Sequence, residues 1–158
     1  MIRKMFIGIL ICISVISGIA QKEIPERIIS LAPSLTKNLG LLDSEDLLVG
    51  CTNYCTLQTN TKAEIVANAV QVNMEKIVLL QPDLVITTNL TKTRTLENIR
   101  KLGINLVVFE NPEDFDAICT QFIELGILIG KEQKAKDIIT QVQEKIVEVS
   151  KIIPEAYT

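Results

Sequence analysis

The stretch VGCTNYCTLQ (49–58) holds two thiols, Cys51 and Cys55, separated by three residues. Between them lies Tyr54, one of two tyrosines in the chain. Four readings of such a pair are open: a metal site, a redox couple, a structural bridge, or two small hydrophobes. The 158 residues include no histidine. That excludes Ser-His-Asp and Cys-His nucleophilic systems within this chain, and every zinc site built on imidazole. Two thiolates alone are half of a structural zinc site. Redox pairs usually take the Cys-x-x-Cys spacing ahead of a helix, and this spacing is one residue longer. A bridge needs the two Cα atoms within about 7 Å, which a tight turn or one helical turn permits.

Few other residues invite chemistry. Ser34 and Thr36, beside an expected helix start, suit an anion held by free N–H groups, and they suit plain capping equally well. Lys37 opposes the helix dipole in a first turn. Glu75 favours it by about 0.3–1 kcal/mol, so a structural role suffices there. Asn89-Leu90-Thr91 fits the short glycosylation triplet. There is no G-x-G-x-x-G or Walker A sequence, and no carboxylate pair suited to a glycosidase. The sequence therefore supports neither an enzyme nor a nucleotide cofactor.

The elements that position these groups alternate between strands and helices. RIISLA (27–32), LLVGC (47–51), DLVITT (83–88) and NLVVF (105–109) are short apolar or β-branched runs that read as strands. PSLTKNLGLL reads as a helix with Pro33 or Ser34 near its start. NMEKIVLLQ reads as a short helix capped by Asn73 and stopped by Pro82, and TRTLENIRKL as one closed by Gly103. Asn111-Pro112-Glu113-Asp114 opens a further helix with Pro in its first turn, running to about Ile129. It carries Cys119 beside Phe115, Ile118 and Phe122, where a buried inert thiol is expected. A last helix spans about Lys131 to Ile153, with Ala135, Ile138, Val142, Ile146, Val149 and Ile153 in one stripe. Almost continuously apolar strands separated by helices imply α/β architecture: a three-layer, Rossmann-like unit with a parallel sheet of about four strands. The loops Ala32–Ser34, Cys51–Cys55 and Thr87–Thr91 then share the carboxyl-end rim, where ligands gather in open α/β sheets.

Composition bounds the partners. Hydrophobic residues make up 47% of the chain and charged residues 22%, with a net charge of −3 and no tryptophan. Without a basic patch or stacking platform, nucleic acid is not an expected partner. Residues 1–20 read as a signal peptide: Arg3 and Lys4, an apolar stretch, then small residues ending at Ala20, with cleavage near that residue. Cys12 follows Ile11, a poor fit to a lipoprotein box. Export leaves Cys51, Cys55 and Cys119 in an oxidising compartment, where a Cys51–Cys55 disulfide is permitted.

Four segments, in order, carry a resemblance: RIISLAPSLTKNLGLL, LVGCTNYC, VNMEKIVLLQPDLVITT and IRKLGINLVVF. Together they resemble the N-terminal lobe of the periplasmic binding proteins that serve ABC importers of cobalamin, haem and iron–siderophores. The resemblance covers about residues 26 to 153. It implies two α/β lobes joined by a rigid helix, with ligand in the cleft between them. Accordingly 21–130 is the expected N-terminal ligand-binding lobe, 131–153 the inter-lobe helix, and 154–158 a truncated start of the second lobe. The chain then reads as a fragment, a truncated gene product or a half-receptor.

The resemblance further implies a non-enzymatic, periplasmic receptor that captures a metal chelate and presents it to an ABC permease. Glu75, in NMEK, matches the position that docks on permease arginines. Tyr54 matches an aromatic that touches the corrin in cobalamin-binding members, and Ala69 stands near the place of a tryptophan contact. Pro33, Ser34, Thr88 and Asn89 complete the expected ligand wall. At Lys37 many members carry a glutamate. The alternative is an exported interaction or sensory module that keeps the lobe without transport.

Overall fold

The computed structural model describes residues 24–57, 61–68 and 71–151. Along the chain run β1 (Ile28–Ser30), α1 (Pro33–Leu41), a single 3-10 turn, β2 (Leu48–Thr52), β3 (Glu64–Ala67) and α2 (Met74–Leu79). Then follow β4 (Leu84–Thr88), α3 (Thr93–Lys101), β5 (Leu106–Phe109), α4 (Phe115–Leu128) and α5 (Glu132–Ser150). The five strands form one parallel sheet in the order β3-β2-β1-β4-β5. The α/β reading stands, with one strand more than expected. The extra strand is β3, at the sheet edge. Its Glu64 and Ile65 are exposed, so it lacks the apolar run that marks an interior strand.

Helices cover both faces, and the side-chain period of two divides the core between them. Ile28, Leu84 and Ile86 pack with Leu35 and Leu39 of α1 and with Phe122 and Leu125 of α4. Ile29 and Val85 point the other way, onto Ile77 of α2 and Ile99 of α3. Both layers are needed because a parallel sheet has no face that tolerates water.

Local signals place most helix ends. Pro33 occupies the first turn of α1. The Asn73 side chain accepts from Lys76 N at 2.9 Å and caps α2. Gly103, at φ 73°, follows the end of α3. The start of α4 differs from expectation. Its cap is Asp114, which accepts from Ala117 N at 2.7 Å, so Pro112 lies upstream of the helix. Phe115 and Ile118 are exposed, whereas Cys119 and Phe122 are buried.

The long helix α5 has 19 residues, about 28 Å at 1.5 Å per residue. Its stripe does not pack along its whole length. Ala135 is buried, and Ile138 and Val142 are half-buried, but Ile146 and Val149 are exposed; Ile153 lies outside the described residues. No helix among the described residues is long and apolar enough to cross a membrane. The α4–α5 turn is tight: Lys131 N donates to Gly126 O, and Gly130 adopts φ 72°. A Cβ added at Gly126 would stand 2.7 Å from Ala135 Cβ and 3.2 Å from Lys131 O. Gly126→Ala should therefore lower stability by about 1–3 kcal/mol through overpacking. Thermal unfolding of both proteins measures this, and an unchanged midpoint would contradict so close a helix contact.

Candidate functional site

The strand order reverses direction at the centre of the sheet. From β1 the chain moves towards β2 and β3, and from β4 it moves towards β5. The crevice beyond the carboxyl ends of β1 and β4 is therefore the topological switch point, where α/β sheets bind ligands. The segments after β1, β2 and β4 meet on this rim. Pro33 and Ser34 are exposed there at the start of α1, and Tyr54 is 60% exposed on the loop after β2. Thr88 is buried as the last residue of β4, so the exposed groups of that loop are Asn89 and Leu90. Ala69 lies outside the described residues.

Beneath the exposed residues runs a buried polar layer. Ser30 and Thr36 have no solvent exposure, and Thr52 has little. Thr36 Oγ1 lies 2.8 Å from Ser30 Oγ and 3.2 Å from Ala32 O. It is also 3.1 Å from Cys55 Sγ, which stands 3.3 Å from Thr52 Oγ1. Thr52 Oγ1 accepts from Tyr54 N at 3.3 Å, and Cys55 N donates to Thr52 O at 3.1 Å. A tight turn thus carries Tyr54 outward and folds Cys55 back over the end of β1.

Cys51 and Cys55 carry free thiols, Cys51 buried and Cys55 half-buried. The two groups influence each other, and their acidities diverge. The Cys51 thiol donates to Cys55 and, with the Thr36 and Thr52 hydroxyls, brings the Cys55 pKa down to about 5 although burial opposes it. Cys51 is pushed up by that same bond, by burial and by the neighbouring charge. Burial also raises Cys119. Spacing within the chain could not reveal this polarised pair, because Thr36 comes from a different βα unit.

On the other side of the rim, Asn89 is committed to its own loops. Its Nδ2 donates to Glu110 Oε2, and its Oδ1 accepts from Asn111 N at 3.2 Å. An open concavity of about 990 Å³ lies beyond, between β5 and α4, and Glu110, Glu113 and Glu124 are among its lining residues. Sequence reasoning read Glu113 only as part of a helix start and did not single out Glu110 or Glu124, which carry no motif. Glu75 lies in the first turn of α2. It is exposed beside Val78 and Leu79, and its carboxylate makes no ion pair among the described residues.

A sequence model of the periplasmic binding protein family matches residues 28–158. The chain belongs to that family. A cobalamin-binding protein of Halobacterium salinarum is 26% identical over 134 residues, which are 83% of this chain and 36% of that protein. An uncharacterized ABC transporter substrate-binding lipoprotein of Bacillus subtilis, YvrC, is 28% identical over 140 residues, 82% of this chain and 45% of that one. The chain thus spans less than half the length of these relatives. The periplasmic vitamin B12 binding protein BtuF of Vibrio cholerae superposes with a TM-score of 0.69 at 27% identity, covering 78% of this chain and 49% of that one. A periplasmic heme binding protein of Pseudomonas aeruginosa shares the fold, with a TM-score of 0.73 at 22% identity over 81% and 47% of the two chains.

In this member of the periplasmic binding protein family, the thiol cluster gives a direct reactivity test. Cys55 loses its thiolate only as pH falls through about 5, so it should be nucleophilic at neutral pH. Alkylation with iodoacetamide, mapped by peptide mass, should label Cys55 ahead of Cys119 at pH 7. Thr36→Val should move the pH midpoint of Cys55 labelling upward. Equal rates at the two sites would show that the hydroxyls do not stabilise the thiolate.

Proposed function

We propose that this chain is the extracytoplasmic solute-binding component of an ABC importer, supplying the N-terminal lobe. It captures a metal chelate, such as cobalamin, haem or a ferric siderophore, and docks on the permease. The observation that carries this reading is the family match over residues 28–158, together with relatives whose names specify cobalamin binding and ABC transport. The signal-peptide pattern of residues 1–20, which lie outside the described residues, fits export to the periplasm.

The geometry supports the assignment of roles. Tyr54 offers an exposed aromatic face on a loop pinned by Thr52 and Cys55, which suits stacking on a flat macrocycle. Pro33, Ser34 and Asn89 flank it on the same rim, and Thr88 stands behind them. Glu75, with Val78 and Leu79 three and four residues on, forms a patch of one carboxylate and two exposed apolar side chains. A charge-assisted bond from a permease arginine to Glu75 would set the docking register, and the apolar pair would supply contact area.

Two measurements separate capture from docking. Visible spectra and melting shifts with cobalamin, haem and ferric chelates should show binding of one of them. Tyr54→Ala should weaken that binding by up to about tenfold, the worth of one aromatic contact. Glu75→Ala should leave ligand binding intact and abolish uptake in cells that depend on this receptor. Absence of any ligand-induced shift would refute the chelate reading. Uptake unchanged by Glu75→Ala would refute the docking role while leaving capture untouched.

A further inference from the structure

The ligand reading makes no use of the two thiols under the rim, yet their surroundings are specific. Cys51 is fully buried in β2, while Cys55 is half-buried and reachable from solvent. Two hydroxyls lie against the Cys55 sulfur, Thr36 Oγ1 at 3.1 Å and Thr52 Oγ1 at 3.3 Å, and the Cys51 thiol interacts with it as well. Thr36 also sits in the first turn of α1, whose dipole favours negative charge. A buried, inert cysteine needs none of this, and Cys119 has no such cradle. The arrangement pairs an accessible, stabilised thiolate with a protonated thiol held against it.

We propose that Cys51 and Cys55 form a peroxide-sensitive redox site, with Cys55 as the attacking thiolate and Cys51 as the resolving thiol. The Cys55 sulfur attacks one oxygen of hydrogen peroxide, or of an organic hydroperoxide. An S–O bond forms, the O–O bond breaks, and hydroxide (or alkoxide) leaves. Sulfur is oxidised by two electrons and peroxide is reduced. The leaving base takes the proton of Cys51, whose thiolate then attacks the Cys55 sulfenic acid. An S–S bond forms, the S–O bond breaks, and hydroxide departs. For hydrogen peroxide, one thiol, one thiolate and one peroxide become one disulfide, one water and one hydroxide. A dithiol reductant reverses the change by exchange.

The two states differ at the rim. Reduced, the loop is held by hydroxyl–sulfur contacts from Thr36 and Thr52. Oxidised, Asn53 and Tyr54 become the crest of a loop closed covalently at Cys51 and Cys55, and Thr36 and Thr52 lose their thiolate partner. The effect on ligand capture rests on the receptor reading above, but the thiol chemistry does not.

The test therefore needs no ligand. The reduced chain without residues 1–20, and so without Cys12, is treated with hydrogen peroxide at molar equivalence, quenched with iodoacetamide and mapped by mass. The expected product has lost two hydrogen masses and contains a Cys51–Cys55 crosslinked peptide, with Cys119 still alkylated. In Cys51→Ser, dimedone should trap a sulfenic acid at Cys55. Oxidation of Cys119 first, disulfide-linked dimers, or both thiols remaining alkylatable after peroxide would each overturn the proposal. The wild-type chain decides these outcomes even if the variant fails to fold. A crosslink in the wild type with no dimedone adduct in folded Cys51→Ser would overturn the assigned order of attack.

Discussion

Strand β1 is three residues long, and Ile28, Ile29 and Ser30 are all fully buried. It pairs in parallel with β2 on one side and β4 on the other, so it has no free edge. Its two isoleucines divide the core between the sheet faces. Its last residue brings a hydroxyl into a place without water, where an unmade hydrogen bond would cost about 1–3 kcal/mol. Ser30 Oγ resolves this by donating to Ala32 O at 3.1 Å and standing beside Thr36 Oγ1. The need to satisfy one buried hydroxyl thereby fixes how the chain leaves β1 and enters α1. Thr36 extends the same network to Cys55, so the loop after β2 is placed by the end of β1 as well as by its own turn.

Much of this was legible in the sequence because the governing interactions are local. Asn73 announces α2 by the bond its own side chain makes three residues on. Gly103 announces the end of α3 because a positive φ suits it there. The interior strands are legible from burial on both faces, which permits only apolar residues along nearly the whole run. The same reasoning explains what was missed. Strand β3 is half-exposed, so its composition resembles that of a loop. Pro112 and Asp114 both suit a helix start, and only the observed bond to Ala117 N distinguishes a cap from an approach.

The candidate site divides along the same line. Proximity of Cys51 to Cys55 was readable from spacing, and the outward position of Tyr54 from the strand order. The polarity of the pair was not, because it depends on Thr36, 19 residues away in sequence. A hydroxyl in a first helical turn looks like an ordinary capping group until another βα unit sets a sulfur against it. Asn89 shows the converse. Its type and position suggest ligand contact, but its amide is occupied by Glu110 and Asn111, and it holds the β4 and β5 loops together.

Helix α5 brings local and long-range constraints together. Its apolar residues keep helical spacing from Ala135 to Val149, yet only the first half finds partners within the described residues. Close packing of Ala135 on Gly126 anchors that half and sets the direction of the rest. A helix of this length does not hold itself together in water by propensity alone, so its packed portion must carry the exposed portion. On the receptor reading, the exposed part of the stripe is the surface a second lobe would cover. The same rod would then fix the angle between two lobes, and the α4–α5 turn would set how far the cleft above β1 and β4 can open.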